Sequence, residues 1–305
     1  IETLDMTKTP FKTGFVALIG APNAGKSTLL NNLLGQKISI TSRRPQTTRH
    51  RILGIKTTDH SQVVYVDTPG MHLGGKKALN KYLNKTADVS MHGVDVVVWV
   101  KDDMKWDNND ISILEKLKEA NVPAVLAINK IDKISDKEVL LPFIQKISLE
   151  HKFTSIIPIS ALNGKQLDEL ESLLFKLLPE GELMYPEDQI TDSSERFMTT
   201  EIIREKLIRR LGQEIPHAIT ISIDQYKVEE KITRIYAVIW VERDGQKNIV
   251  IGDKGAGLKE IGTQARKDLE EMLDTKVYLN LWVKVKKNWS DNERDLISLG
   301  YRGME

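Results

Sequence analysis

The sequence predicts an α/β domain with a mostly parallel sheet, followed by a smaller α+β domain. Short β-branched runs alternate with amphipathic helical patterns as far as residue 178, which is typical of βαβ units. A G-x-x-x-x-G-K-S motif joins the first of these runs to the first helix. From Pro179 this alternation stops. A polar stretch with two prolines follows, and after that stretch the predicted elements come in a different order.

We expect the first domain to span residues 1–180, with a linker over 181–195 and the second domain over 196–305. The predicted strands of the first domain are Phe15–Ile19, Gln62–Val66, Val94–Val100, Ala124–Ile128 and Ser155–Ile159. Its predicted helices are Lys26–Leu34, Lys77–Asp88, Asp110–Ala120, Lys137–Glu150 and Leu167–Leu178. Continuous apolar strands of this kind fit a sheet covered by helices on both faces.

The second domain is predicted to follow the order α-β-β-α-β-α. Its predicted elements are a helix at Arg196–Leu211, strands at Ala218–Ile223 and Arg234–Val241, a helix at Leu258–Leu273, a strand at Val277–Val285 and a helix at Asp291–Leu299. The last strand alternates apolar and polar residues without interruption, so we expect a half-buried antiparallel strand there.

The composition excludes several classes of protein. The chain has no cysteine, which rules out disulfides, thiol catalysis and cysteine zinc sites and fits a reducing compartment. The net charge is only +1, so any contact with nucleic acid has to come from a local basic patch. No apolar run reaches the ~20 residues that span a bilayer, and no signal peptide is visible. We therefore expect a cytoplasmic protein.

The G-x-x-x-x-G-K-S motif predicts a phosphate-binding loop. Its glycines allow backbone N–H groups to approach phosphate oxygens, and the helix that follows adds its positive end. Lys26 is expected to reach the β- and γ-phosphates, and the Ser27 hydroxyl is expected to bind Mg²⁺. The residues predicted to bind the phosphates are Gly20, Ala21, Pro22, Asn23, Ala24, Gly25, Lys26, Ser27, Thr28 and Gly70.

An N-K-x-D element at Asn129–Asp132 predicts that the base is guanine. The Asp132 carboxylate can accept from both N1–H and the 2-amino group of guanine, whereas adenine would leave it unpaired. Asn129 is expected to brace the site, and the stem of Lys130 to lie over the ring. Ser160 and Ala161 follow the next strand, and the Ala161 N–H is the expected contact to guanine O6.

Two further segments are expected to complete the nucleotide site. Asp67 follows a strand and is placed for Mg²⁺, while the Gly70 N–H is placed to sense the γ-phosphate. The threonine that completes the Mg²⁺ shell is expected to be Thr48, with Thr47 as the alternative. The arginines around them fit a solvated loop better than direct contact with RNA.

The sequence offers no side-chain base for the hydrolytic step. Met71 stands where some GTPases carry a glutamine that orients water, and methionine cannot perform that role. His72 follows it and is better interpreted as a loop residue. We therefore expect slow intrinsic turnover that relies on phosphate electrostatics, Mg²⁺ and help from a partner. In related GTPases with P-N-x-G-K-S an asparagine holds a potassium ion, so Asn23 is a candidate K⁺ ligand.

A G-x-x-G motif in the second domain predicts contact with single-stranded nucleic acid. Such a loop, when it opens onto a helix, clamps the backbone of about four nucleotides. The residues predicted to bind RNA are Ile251, Gly252, Asp253, Lys254, Gly255 and Lys259. A glycine turn without a ligand is the alternative. Three roles are open for Trp282 and Trp289: stacking on bases, packing against the first domain, or lying at a membrane surface. For Trp282 the plainest interpretation is a residue on a strand whose polar face is partly covered.

Taken together, the motifs resemble those of the bacterial Era GTPase family. The resemblance rests on Gly20–Ser27, Gln46–Arg51, Asp67–Gly70, Asn129–Asp132, Ser160–Ala161 and the G-x-x-G domain, and it covers essentially the whole chain. It implies a Ras-like P-loop GTPase domain followed by a type II KH domain. It also implies binding of GTP, GDP and Mg²⁺, binding to the 3′ end of small-subunit ribosomal RNA, a role in assembling the small ribosomal subunit, and some peripheral association with the inner face of the cell membrane.

On this basis we expect GTP and Mg²⁺ to order Thr48 and Gly70 and to change the exposure of the Gly252–Gly255 loop. The alternative is a membrane-associated GTPase adaptor whose second domain docks a protein. A tRNA-modifying GTPase lacks support, because the chain has no cysteine and no visible cofactor motif. Nothing in the sequence indicates an obligate dimer, so we expect a monomer.

Overall fold

The computed structural model describes residues 10–42, 44–71, 77–211 and 219–301. These residues form two compact units. The first contains the described residues within 1–39, 51–73 and 87–192, and the second contains those within 40–50, 74–86 and 193–305. Two segments from the N-terminal half of the chain therefore belong to the same unit as the C-terminal third.

The first unit is built on a six-stranded sheet. Its strands are β1 (Lys12–Ile19), β2 (Ile52–Thr58), β3 (Ser61–Asp67), β4 (Val96–Lys101), β5 (Ala124–Ile128) and β6 (Ser155–Pro158). They lie in the order β2-β3-β1-β4-β5-β6, and all pairings are parallel except that of β2 with β3. The mostly parallel sheet predicted from the sequence is confirmed. Strand β2 was not predicted, because its half nearest the turn is polar and only partly buried.

Helices cover this sheet on both sides. They are α1 (Lys26–Leu34), the C-terminal end of α2 (Ala78–Val89), α3 (Asn108–Ala120), α4 (Leu140–Glu150) and α5 (Leu167–Leu177). Every residue of strands β3, β4 and β5 is buried, as expected for strands covered on both faces. The carboxyl ends of β1, β3 and β5 carry the loops in which the nucleotide-binding motifs lie.

The second unit contains a three-stranded sheet. Its elements are α6 (Glu195–Arg210), β7 (Ile219–Glu229), β8 (Ile232–Val241), α7 (Asp244–Ile251), α8 (Ala256–Leu273), β9 (Lys276–Val285) and α9 (Glu293–Ser298), and the strand order is β7-β8-β9. Residue Ala218 of the predicted strand lies outside the described residues. Helix α7 was not predicted, so the order is α-β-β-α-α-β-α and the predicted α-β-β-α-β-α is wrong.

The direction predicted for β9 is also wrong. The alternation from Val277 to Val285 is present and half-buried, but β9 pairs with β8 in parallel. Alternation reports that one face of a strand is buried, and it carries no information about the direction of the neighbouring strand.

Part of the segment that was predicted to be a linker belongs to the first unit. Gln62 of β3 holds the segment that was predicted to be a linker: its amide donates to the Tyr185 carbonyl at 2.9 Å and accepts from the Met184 and Tyr185 N–H groups at 2.8 and 3.0 Å. The Ile55 N–H donates to the Ile190 carbonyl at 2.7 Å. The boundaries 1–180, 181–195 and 196–305 stay a prediction. Within the described ranges, no helix is both long and apolar enough to cross a membrane.

Candidate functional site

The predicted phosphate loop connects β1 to α1, as the motif requires. Gly25 has φ 103° and lies so close to the Asn129 amide that a Cβ atom there would collide with it. A Cβ atom at Gly70 would lie 2.6 Å from Pro22 Cα, so the loop after β3 packs directly on the phosphate loop. Glycine at these two positions is what allows the two loops and the base-binding motif to approach one another.

Lys26 is folded back onto this loop. Its ammonium group is buried and donates to the Gly20 carbonyl at 3.0 Å and to the Ala21 carbonyl at 2.9 Å. Burial lowers the pKa of Lys26 to about 8, although the nearby Asp67 and Asp102 carboxylates oppose this shift. A phosphate anion beside Lys26 would favour its charged form.

Ser27 and Asp67 come together at one point of the first unit. The Ser27 hydroxyl donates to Asp67 Oδ2 at 2.7 Å, and the Ser39 hydroxyl donates to the same oxygen at 2.8 Å. Hydroxyl and carboxylate oxygens are the ligands that Mg²⁺ prefers, so this pair fits the predicted metal. The sequence did not indicate Ser39, which stands between two buried isoleucines in a segment without a motif. Thr48, the predicted third ligand, belongs to the second unit.

Met71 is a core residue. It is 5% exposed and packs in the cluster that contains Trp99, while its N–H donates to the Gly20 carbonyl at 3.0 Å. A thioether offers a reacting water neither a strong donor nor a strong acceptor. His72, the other residue considered, lies outside the described residues.

Asn129 connects the parts of the predicted guanine site. Its Nδ2 donates to the Ala24 carbonyl at 2.8 Å, and its Oδ1 accepts from the N–H groups of Lys130 and Ala161 at 2.7 and 2.9 Å. One buried amide therefore links the phosphate loop to both segments that are expected to contact the base. The Ala161 N–H, predicted to reach guanine O6, already donates to Asn129, so a guanine would share it.

Lys130 and Asp132 lie on either side of this amide. Lys130 Nζ donates to the Asn23 carbonyl at 2.7 Å and to Asp102 Oδ2 at 2.5 Å, which directs its stem across the loop. Asp132 is exposed, and the Ser160 hydroxyl donates to its Oδ1 at 2.5 Å and thereby lowers the pKa of Asp132. An ionised, accessible carboxylate is the group that guanine recognition requires. No sequence motif indicated Asp102.

Residues 40–42 and 44–50, which we call switch segment I, belong to the second unit and are held by other residues of that unit. Arg204 Nη2 donates to the Thr47 carbonyl at 2.5 Å, and Arg49 Nη1 donates to the Ile219 carbonyl at 2.7 Å and to the Tyr301 hydroxyl at 2.9 Å. Thr48 lies between these two anchored residues and is 6% exposed. Its backbone therefore cannot move without disturbing the contacts on both sides.

A cluster of four rings continues this anchoring at His50, with Tyr301 buried and the other three half-buried. The imidazole stacks on the Tyr301 ring at 4.9 Å and meets the Phe197 and Tyr82 rings edge-on at 5.3 and 6.3 Å. Burial lowers the pKa of His50 to about 4, although the Glu201 carboxylate opposes the shift. His50 is thus neutral at physiological pH, and its contribution is packing.

The first part of α2 also packs in the second unit. Leu79 and Leu83 form a buried cluster with Trp289, Leu296 and Tyr301. Trp289 is fully buried there, so of the alternatives considered for it, stacking on bases and lying at a membrane are wrong. It rests instead against a helix from the N-terminal half of the chain.

The G-x-x-G loop joins α7 to α8. Lys254 and Gly255 both have left-handed backbones, with φ 46° and 82°, and a Cβ atom at Gly252 would lie 2.9 Å from the Gly257 nitrogen. Beside the loop lies an open groove of about 480 Å³ between α8 and β9. Its walls include Gly255, Lys259, Arg266, Tyr278 and Asn280.

Only part of the predicted RNA-binding set lines this groove. Gly255 and Lys259 do, whereas Asp253 and Lys254 are exposed on the loop and Ile251 packs against the core. Arg266, Tyr278 and Asn280 were not among the predicted site residues, and Tyr278 and Asn280 line the groove only because β9 packs beside α8, which no local pattern specifies. The regular i, i+7 spacing of Lys259 and Arg266 on one helix was the available signal for Arg266.

Comparison with known proteins identifies the domains and the family. A family model described as 50S ribosome-binding GTPase matches residues 15–130, and a KH domain model matches residues 214–290. GTPase Era of Ectopseudomonas mendocina is 54% identical, over 97% of this chain and 99% of that protein. GTPase Era of Pseudomonas aeruginosa is 53% identical, over 95% of each chain.

Two solved structures match over nearly the whole chain. The first is Era in complex with MgGDPNP and nucleotides 1506–1542 of 16S ribosomal RNA, with a TM-score of 0.92, 41% identity and coverage of 95% of this chain and 99% of that one. The second is a variant of Aquifex aeolicus Era bound to GDP·AlF4⁻, with the same TM-score, identity and coverage. The P-loop GTPase and KH folds expected from the sequence are confirmed. The chain belongs to the Era family of GTPases.

Proposed function

We propose that this protein hydrolyses GTP, binds the single-stranded 3′ end of 16S ribosomal RNA and acts in assembly of the small ribosomal subunit. The observation that carries the proposal is the presence, in one chain, of a hydrogen-bonded guanine-type site and a basic groove beside a G-x-x-G loop. The family model names the large subunit, but the near-full-length structural relative was crystallised with 16S RNA, which belongs to the small subunit.

In this proposal the first unit binds the nucleotide. Residues Gly20–Thr28 and Gly70 surround the phosphates, with Lys26 released from its two carbonyl partners to bind the β- and γ-oxygens. Asp132 accepts from guanine, and Asn129 keeps Lys130, Ser160 and Ala161 in position around the base. Guanine is favoured over adenine because adenine would leave the Asp132 carboxylate without donors.

Ser27, Asp67 and Thr48 are proposed to hold Mg²⁺, with Thr47 as the alternative to Thr48. The ion neutralises charge that develops on the phosphates during hydrolysis. The Asp67 carboxylate already accepts hydrogen bonds from two hydroxyl groups, which orients it toward Ser27. Because Met71 is buried and cannot orient water, intrinsic turnover is expected to be slow, and we infer that a partner accelerates it.

The second unit is proposed to bind RNA through the groove between α8 and β9. Gly252, Asp253, Lys254 and Gly255 supply a loop whose main chain can approach a phosphodiester, with Ile251 as part of its apolar support. Lys259 and Arg266 line the groove and supply positive charge. A groove of this size suits one strand, and the chain's small net charge fits local recognition.

We infer that nucleotide state and RNA binding are coupled through switch segment I. Thr48, a proposed Mg²⁺ ligand, lies between Thr47 and Arg49, and both are anchored to residues of the KH-containing unit. Any change in Thr48 on hydrolysis therefore acts on those anchors. RNA affinity that is identical with a GTP analogue, with GDP and without nucleotide would refute the coupling.

The test is GTP hydrolysis with and without a single-stranded RNA that copies the 3′ end of 16S RNA. We expect stimulation in the native chain and its loss in Lys259→Glu, since a carboxylate in the groove repels phosphate. Lys267→Glu is the matched control, because Lys267 is exposed on the same helix and does not line the groove. A Gly255→Asp change is less suitable because φ 82° strains any side chain.

Hydrolysis that does not respond to RNA, combined with equal RNA affinity of both variants, would refute the RNA-binding part and leave the adaptor alternative. A cytoplasmic location and a monomeric state are part of the proposal. Peripheral contact with the inner face of the cell membrane stays a prediction, and binding to lipid vesicles would measure it.

A further inference from the structure

Helices cover one face of the three-stranded sheet of the second unit, and the opposite face carries aromatic and basic side chains. Ile235, Ala237 and Ile239 of β8 point into the core with α6 and α8. The intervening residues of β8 and the polar-face residues of β9 lie on the opposite face, which carries the rings of Tyr236, Trp240, Tyr278 and Trp282. Among these rings, Trp282 was singled out in the sequence and has no role in the proposed RNA groove.

Tyr236 contacts two of the other rings, Tyr278 and Trp282, and we call these three residues the aromatic platform. The Tyr236 and Trp282 rings stack at 5.9 Å with 17° between their planes, and Tyr236 lies 5.8 Å from Tyr278. Tyr278 and Trp282 are 41% and 42% exposed. Their mutual contacts restrict their rotamers, so a ligand that stacks on them meets an ordered surface and loses little entropy.

Cations flank the platform. The Arg234 guanidinium lies 5.5 Å from the Tyr278 ring centre, and Lys284 Nζ lies 5.8 Å from the Trp240 ring centre at the other end of the face. The register places Lys227 beside Arg234, and Glu229 is the carboxylate that pairs with Arg234 at 3.1 Å. Exposed rings between basic side chains are complementary to the bases and phosphates of a single strand.

The platform is continuous with the groove beside the G-x-x-G loop. Tyr278 and Asn280 line that groove, and Tyr278 also contacts Tyr236 on the sheet face. Strand β9 is the edge of the sheet. A strand of RNA that fills the groove with about four nucleotides would therefore reach the platform by crossing this edge.

We propose that the aromatic platform binds bases of the same single-stranded RNA beyond the nucleotides held in the groove. The proposal rests on the RNA-binding function proposed above and extends it to a second surface of the unit. Bases stack on Tyr278 and Trp282, while Arg234 and Lys284 contact the backbone. The platform contributes affinity with little sequence preference, because every base has a stacking face.

The test compares two lengths of single-stranded RNA on the full chain, one of about five nucleotides that the groove alone accommodates and one of about twelve. Trp282→Ala is expected to weaken the longer RNA roughly tenfold and to leave the shorter RNA unchanged. Trp282→Phe keeps a ring and should restore most of the loss. Val228→Ala is the matched control, because Val228 is exposed on the same sheet and is not one of the platform residues.

Equal affinity of Trp282→Ala and the native chain for the longer RNA would overturn the proposal, and so would an equal loss for both lengths. If Trp282→Ala instead lost binding to anionic phosphatidylglycerol vesicles while keeping both RNA affinities, the platform would be a membrane surface. Lys259→Glu distinguishes a failure of the platform proposal from a failure of the RNA-binding function proposed above. It should weaken the binding of both RNAs if the groove binds RNA, whether or not the platform does.

Discussion

Asn129 in the proposed guanine site and Lys259 in the proposed RNA groove show two ways of building a binding site. The Asn129 side chain is buried and makes three hydrogen bonds, two of them to segments distant in sequence. Lys259 is exposed on a helix, and the groove it lines is open. The first arrangement fixes the position of each group before a ligand arrives, whereas the second presents charge and surface that a flexible strand can follow.

The two regions should therefore respond differently to substitution. An interlocked polar site loses its function when one member is removed, because buried partners are left unsatisfied. An open basic groove loses affinity in increments and depends on salt concentration. Switch segment I does not fit this simple division. It lies in the second unit, and yet Thr47, Thr48 and Arg49 are buried and Thr47 and Arg49 are held by hydrogen bonds, as in the proposed guanine site.

The largest expected effect is at Asp132, the exposed member of the interlocked site. Asp132→Asn should lower GTP and GDP affinity by roughly 10³-fold or more, since an amide cannot accept from both guanine donors. Asp132 is exposed, so the free energy of unfolding should change by less than about 0.5 kcal/mol. Titration calorimetry measures the affinity, and Asp168→Asn, exposed in α5, is the control. A loss below tenfold would contradict the assignment of Asp132 to the base.

The next effect is the pH dependence of the stability that His50, a residue of switch segment I, is expected to cause. The unfolded chain binds a proton at His50 near pH 6.5, whereas burial delays protonation in the folded protein to about pH 4. Stability should therefore fall as the pH is lowered from 6.5 toward 4, by up to about 3 kcal/mol. The groups around His50 are Glu201, which opposes this shift, and Arg49 and Arg204, which add to it.

Urea unfolding at several pH values measures this dependence. His50→Phe preserves a ring against Tyr301 and should flatten the dependence between pH 6.5 and 4. His60→Gln is the control, since His60 is exposed in the turn between β2 and β3. The same dependence in His50→Phe and the native chain would show that other groups cause it.

The smallest effect is expected from potassium at the nucleotide site. We propose that Asn23, which adopts φ 65° in the phosphate loop, helps to hold K⁺ near the β- and γ-phosphates. GTP turnover should be faster in K⁺ than in Na⁺, by less than the roughly 10²-fold that a full oxyanion donor contributes. Affinity for RNA without nucleotide should be the same in both salts. Equal turnover in the two salts would remove Asn23 from this role.

Much of the nucleotide site could be predicted because its motifs are local. The segments Gly20–Ser27, Asp67–Gly70 and Asn129–Asp132 each follow a strand of a parallel sheet, and the carboxyl ends of those strands meet at one edge. Ser39 and Asp102 escaped prediction because a polar residue in a loop has no pattern of its own. Their importance arises from contacts with Asp67 and Lys130, which lie 28 residues away in each case.

Local sequence was sufficient for the two fold classes, the nucleotide chemistry and the presence of a G-x-x-G loop, because each depends on residues within one turn, strand or helix. The remaining features came from tertiary contacts, which placed switch segment I and the start of α2 in the second unit, made β9 parallel to β8, buried Trp289 and left Trp282 exposed. These features depend on contacts such as that of Arg49 with the Ile219 carbonyl, 170 residues apart, and no local pattern of hydrophobicity specifies which distant segments meet.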